Sequence, residues 1–247
     1  MSLENLAEDI KKIIKDEVMK SGESYRFREP IIGFASAEDP MYYELTNIIG
    51  SKQLHPKDIL PTAKTVIVYF IPFSFEIIDK IQGKNLIVKE WSDNYTVTNK
   101  LLKRISDILQ DKLIQWGIDV KTEPPTDNYD PIELTAKWSH KSSAVISGIG
   151  TFGLNHLLIT KSGTAGRLNS LIIDAYIEPT KRPESSYCLY YKTGKCKVCL
   201  EKCPSGALST DDFDRFRCSA YLDGKNIRDS EQGCGMCSSG PCSKRGF

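Results

Sequence analysis

No cysteine precedes Cys188 in this chain of 247 residues, so any thiolate chemistry is confined to its last part. A dominant charge is missing too. Lys plus Arg number 33 against 32 for Asp plus Glu, and the net charge of +1 gives no general reason to expect a polyanionic partner. No apolar stretch is long enough to cross a bilayer, the longest running only from Thr65 to Phe75. The opening, Met1-Ser-Leu-Glu-Asn-Leu-Ala-Glu8, lacks the basic region of a secretory signal. There is no internal repeat and no low-complexity tract. A soluble cytoplasmic protein is expected, in a compartment that keeps thiols reduced.

What is present is concentrated. Cys188, Cys196, Cys199, Cys203, Cys218, Cys234, Cys237 and Cys242 make up all eight cysteines. Cys196-Lys-Val-Cys199-Leu-Glu-Lys-Cys203-Pro204 reads C-x2-C-x3-C-P, the last part of the bacterial ferredoxin run, whose final cysteine ligates the other of two clusters. Thr193 stands where the run's first cysteine would be, and Cys188 is the upstream thiol that can replace it. The crossover assigns Cys188, Cys196, Cys199 and Cys242 to one 4Fe-4S cluster and Cys203, Cys218, Cys234 and Cys237 to the other. Paired four-thiolate zinc sites use similar knuckles but do not call for a third close cysteine followed by proline. Disulfides need an oxidising compartment, which nothing here suggests.

The cysteine boundary implies an α/β core over residues 1–180 and a small two-cluster domain over 181–247. Apolar spacing predicts an amphipathic helix over 3–18, with Ser2 as its cap, and a longer helix from Thr96 to Trp116 that Gly117 stops. Pro30 to Ala35 reads as a short strand. Thr65 to Phe70 is continuously apolar and therefore central in its sheet. Glu123 to Asp130 is a turn-rich loop delivering Asp127, Tyr129 and Asp130, groups able to carry protons. Asp130-Pro131-Ile132-Glu133 has the chemistry of a helix start, and the helix so begun would carry Trp138, His140 and Lys141. After it come Gly148, Gly150 and Gly153, which permit unusual backbone angles and close approach to something bound, or simply a tight turn. They neither follow a strand nor open a helix, which excludes a dinucleotide fingerprint. Leu157–Thr160 and Arg167–Asp174, joined by the turn 161–166, read as a hairpin.

The stretch Ala144 to Ile177, with Gly148, Gly150, Gly153, Leu158-Ile-Thr160, Gly166-Arg167 and Leu171-Ile-Ile-Asp174, resembles the cobalamin-binding core of epoxyqueuosine reductases and reductive dehalogenases. The run from His55 to Val68 and the cysteine pattern, including Arg217-Cys218-Ser-Ala-Tyr-Leu222, are similar too. The resemblance implies a corrinoid, held base-off without a histidine ligand, between a nitroreductase-like core and a ferredoxin-like domain whose clusters feed electrons to cobalt. It makes Gly148, Gly150, Thr151, Gly153, Leu158, Thr160 and Arg167 candidate cobalamin contacts. The chain departs from the pattern where those reductases place a proton-donating Asp, in a short Thr-Asp-Ser-Ala-Pro segment. Here the longer Pro124-Pro-Thr126-Asp127-Asn-Tyr129-Asp130 stands instead. The helical-repeat extension that many of them use near RNA is not seen, nor is the export signal of respiratory dehalogenases.

The expected function is a cobalamin-dependent iron–sulfur reductase that removes an oxygen or halide leaving group from a small molecule. Its electrons would come from a low-potential donor such as ferredoxin or flavodoxin. Asp127, Tyr129 and Asp130 are the candidate proton donors, and tRNA is not expected as a partner. Two rivals stand beside it: a ferredoxin-type electron carrier without corrinoid, and a protein that reduces or delivers corrinoid to another enzyme. A pure carrier needs no proton donor, so the polar loop favours the enzyme.

Overall fold

The computed structural model describes residues 5–82, 89–125, 128–225, 227 and 233–247. Strand β1 (Ile31–Ser36), β2 (Thr65–Pro72), β3 (Val120–Thr122) and β6 (Gly166–Ile173) form one antiparallel sheet in the order β1-β2-β6-β3. All eight residues of β2 are buried, which accounts for its unbroken apolar run. Side chains alternate across a strand, and β2 splits its own accordingly. Ile67, Tyr69 and Ile71 join one core layer with helices α1 (Leu6–Lys20), α4 (Phe75–Ile81) and α5 (Lys89–Gln115). Val66, Val68 and Phe70 join the other, with α2 (Pro40–Ile48), the single turn α3 (Pro56–Ile59) and α6 (His140–Ile146). The sheet is thus the middle of three layers. Among the described residues no helix is long and apolar enough to cross a membrane.

Helix α1 buries Leu6, Ile10, Ile14 and Val18, as its spacing requires. The expected cap, Ser2, lies outside the described residues. Helix α5 begins at Lys89, ahead of the expected Thr96, so that Trp91 enters the core as well.

Two expectations fail. The Asp130 carboxylate does accept from Ile132 N and Glu133 N, at 2.9 and 3.0 Å, as a cap would. No helix follows, because Leu134 turns to φ 53° and Glu133 pairs with Lys52 instead of closing a capping box. The helix starts nine residues further on, under a new cap: Ser139 accepts from Ser142 N, and α6 opens at His140 with Trp138 outside it. The expected hairpin is also re-paired. Strand β5 (Leu158–Thr160) pairs with β4 (Gly150–Phe152), and β6 pairs with β2 and β3. The connection between β5 and β6 pairs on itself only at Thr160 and Gly163, because Thr164 N and Ala165 N then bond the carbonyls of Cys242 and Ser243.

Candidate functional site

The cysteine segment is built from short helices and turns: α7 (Leu189–Thr193), α8 (Val198–Glu201), α9 (Arg215–Gly224) and two single 3-10 turns at Met236–Ser238 and Pro241–Ser243. Cys188 is the N-cap position of α7, Cys199 lies in α8, Cys218 in α9, and Cys237 and Cys242 in the two 3-10 turns. All eight thiols are free of disulfides.

Their placement divides them into two quartets. Cys188, Cys196, Cys199 and Cys242 line one small enclosure with Leu154, Ile159, Leu189 and Val198. Cys203, Cys218, Cys234 and Cys237 line a larger cavity of about 310 Å³ between the cysteine segment and the core. Among the described residues no three or more His, Cys, Asp or Glu side chains are grouped closely enough to hold a metal ion as they stand.

The thiols respond to this crowding. Burial pushes Cys199 up to about 11, helped by Cys188. Burial pushes Cys242 up to about 12, helped by Cys199, Cys188 and Cys196. Cys237 also rises to about 12, through burial and then Cys234, Cys218 and Cys203, with Lys141 acting in opposition. Cys203 goes the other way. Burial would raise it, but the Ser205 hydroxyl and the N–H groups of Ala207, Leu208 and Ser205 outweigh that and hold it below its ordinary value.

The larger cavity has an apolar, aromatic wall of Phe70, Phe73, Trp91, Tyr95 and Met236. Arg167 enters it, its guanidinium carbon 3.7 Å from the centre of the Tyr95 ring. Arg167 Nε and Thr164 Oγ1, both on this wall, are buried with no partner, donors that ask for a ligand acceptor or water. Gly235, at φ 69°, packs flat on Trp91 and brings α5 against the second quartet. Asn155 ties the β4–β5 turn to that quartet, its amide donating to the Cys237 carbonyl at 3.0 Å.

Of the expected corrinoid contacts, Leu158 and Arg167 line this cavity. Gly148, Gly150, Thr151, Gly153 and Thr160 do not. A Cβ on Gly150 would stand 2.5 Å from the Ile159 carbonyl, and one on Gly153 would stand 2.5 Å from Ile159 Cδ1. On Gly148, at φ 76°, it would meet the Lys181 carbonyl at 2.7 Å. These glycines let protein meet protein. Thr151 Oγ1 accepts from Tyr187 N at 2.8 Å, and Thr160 Oγ1 donates to the Gly163 carbonyl at 2.8 Å, so both hydroxyls are committed internally. Gly148 does border a separate groove of about 490 Å³, where Lys181 pairs with Glu184, Arg182 pairs with Asp39, and Lys161 is a third cation.

The described residues of the polar loop likewise do not line the cavity. Asp127 lies outside the described residues. Tyr129 is partly exposed and bridges to Ala136. Asp130 is held below the ordinary carboxylate range by the Glu133 and Ile132 N–H groups and then by Lys52, which suits an anion and not a proton donor.

His140 anchors this loop. Its Nε2 lies 2.9 Å from the Pro124 carbonyl, which can only accept, so Nε2 carries the proton. Its Nδ1, 2.8 Å from Ser170 Oγ, then accepts from that hydroxyl, whose oxygen takes the Trp138 indole N–H at 2.9 Å. Burial pushes His140 down to about 4. A folded value below the unfolded one means that protons bind the unfolded chain first, so stability is full above about pH 6.5 and falls with pH. Between pH 7 and pH 4 this group should remove about 3 kcal/mol. Urea melts at the two values, on wild type and on His140→Gln, check it; an equal loss in both would clear His140 of the effect.

Sequence reasoning named Lys141 without a role and overlooked Trp91, Tyr95 and Thr164. Lys141 sits in α6 between two buried residues and faces the cavity. Only the pairing of β4–β5 against the cysteine segment reveals that, and no periodicity in the sequence announces it.

No protein-family model matches the chain. It is similar to curated proteins named epoxyqueuosine reductase: 25% identical over 179 residues to that of Bacillus subtilis strain 168, covering 69% of this chain and 42% of the relative. The one from Leadbetterella byssophila is 26% identical over 175 residues, covering 69% and 52%. The chain thus spans about half the length of the curated relatives it matches. Among solved structures, an epoxyqueuosine reductase with an epoxyqueuosine-modified tRNA stem loop superposes with a TM-score of 0.60 at 20% identity, over 98% of this chain and 67% of that one. A catabolic reductive dehalogenase superposes with a TM-score of 0.62 at 15% identity, over 88% and 30%.

Proposed function

The chain is a divergent relative of the epoxyqueuosine reductases that shares its fold with a reductive dehalogenase, and from that premise we propose that it is an iron–sulfur reductase. Each cysteine quartet holds a 4Fe-4S cluster, residues 181–247 act as the cluster domain, and the cavity beside the second quartet takes the electron acceptor. The observation that carries this reading is that the eight thiols gather into two quartets in two separate enclosures, only one of which adjoins the aromatic cavity. Zinc suits it less well, since paired four-thiolate zinc sites do not call for a third close cysteine followed by proline, as Cys203-Pro204 is here.

The cavity is the place for a corrinoid. Two orphaned donors in an apolar wall suit the amide-fringed rim of a macrocycle, and Leu158, Arg167 and Thr164 would hold it. Bound there, a corrinoid supplies a metal that gathers electrons singly and delivers them as a pair. The chain's own part is to exclude water with Phe73, Trp91 and Met236, to stack and orient with Arg167 and Tyr95, and to deliver electrons from the second quartet. The reaction class is reductive removal of a leaving group: two electrons and one proton release a halide, and two electrons with two protons take an epoxide oxygen away as water. Asp127 and Tyr129 remain the candidate proton donors, and Asp130 is set aside. A low-potential ferredoxin or flavodoxin is the donor, and the substrate is a small molecule or a modified nucleoside of the kind carried by the tRNA stem loop of the structural neighbour.

One observation favours the carrier without corrinoid: most of the glycine segment is spent on internal packing. Anaerobic purification decides between them. We expect about eight irons and eight sulfides per chain, and a changed visible spectrum on titration with cobalamin. Full iron without any spectral change would leave the carrier; zinc without sulfide would end both readings.

A further inference from the structure

The two quartets differ in charge environment. The first is walled by Leu154, Ile159, Leu189 and Val198, and no charged side chain lines its enclosure. The second has two cations within its cavity, Arg167, which stacks on Tyr95, and Lys141. Lys141 projects from α6, its Nζ donating to the His156 carbonyl at 3.2 Å, and lines the same space as Cys203, Cys218, Cys234 and Cys237. The Lys141 side chain is open to that space, and its charge acts on Cys237, which marks the two as electrostatic neighbours. Cys203 adds the Ser205 hydroxyl at 3.3 Å. The first quartet receives the Leu154 N–H on Cys188 at 3.5 Å.

Cluster potential follows net charge, hydrogen bonds to sulfur and exposure. An electron added to a cluster bound by four thiolates increases its negative charge. A nearby cation offsets part of that charge, and an apolar wall does not. We propose that Lys141 raises the reduction potential of the cluster on Cys203, Cys218, Cys234 and Cys237 above that of the other, so that electrons run from the first quartet to the second and on to the cavity. One electron leaves the first cluster, oxidising it, and reduces the second, with no proton moved. The external low-potential donor then re-reduces the first.

This inference rests on the two-cluster reading, and the test separates the two. Reductive titration is followed by paramagnetic resonance on wild type, Lys141→Met and Lys141→Arg, with the second quartet's signal identified by its loss in Cys218→Ser. The wild type should show that signal at the higher midpoint. Lys141→Met should move it to lower potential and leave the other in place, and Lys141→Arg should restore it. Equal shifts of both signals, no shift, or a reversed order in the wild type would overturn the role of Lys141 while leaving the clusters standing. Absence of iron and sulfide would instead remove the two-cluster reading itself. If Lys141→Met does not accumulate, the order of midpoints in the wild type decides.

Discussion

Cys199→Ser and Cys203→Ser should erase different paramagnetic signals, although one helical turn separates them in sequence. Cys199 lies inside α8 and faces Cys188, Cys196 and Cys242, the neighbours that raise its thiol or respond to it. The chain leaves α8 at Lys202, and Pro204 then carries it away, so that Cys203 turns toward Cys234 and Cys237 across the larger cavity. Each variant should keep about half of its iron. The loss is complete for one signal and slight for the other, because each enclosure has its own wall. Iron analysis and spectra of the two reduced proteins provide the measurement. Disappearance of the same signal from both would dissolve the division into quartets.

Gly150→Val should destabilise the fold. Gly150 pairs with Thr160 across β4–β5, and the position of its missing Cβ is 2.5 Å from the Ile159 carbonyl and 2.8 Å from Leu158 Cδ1. A backbone carbonyl in a ladder cannot step aside, and a β-branched side chain adds two methyls to the collision. A cost of about 3 kcal/mol is expected, which for a chain of this size lowers the melting temperature by roughly 5–10 °C. Thermal melts of the two proteins check this. An unchanged melting point with lost cobalamin uptake would return Gly150 to a ligand.

The sequence disclosed what depends on short range. The β2 run is apolar throughout because both sheet faces are covered, and the stripe of α1 is spaced by one helix's own geometry. The cysteine spacing points to two ligand sets because a short loop sets it. Strand pairing was not readable. Strands β5 and β6 are adjacent in sequence, yet the residues between them bond the distant Cys242 and Ser243, a choice no local pattern encodes. The glycines misled for a related reason: an absent side chain does not say whether ligand or protein fills the space. Asp130 has the right partners for a helix start, and Leu134 and Lys52 turn it to another use.

The seam around Cys242 limits how these parts can be exchanged. Its carbonyl accepts from Thr164 N, the Ser243 carbonyl accepts from Ala165 N, and the Arg28 guanidinium clasps the carbonyls of Lys244 and Ser162 at 3.0 and 2.6 Å. A cysteine segment transplanted from a relative would arrive without the matching register, and a core grafted under a foreign segment would keep Arg28 on the Phe73 and Ser162 carbonyls but lose its bond to Lys244. Chimeras cut at residue 180 should therefore assemble poorly unless Arg28 and residues 162–165 travel with the graft. For this chain the unit of inheritance is the clasp together with the thiols.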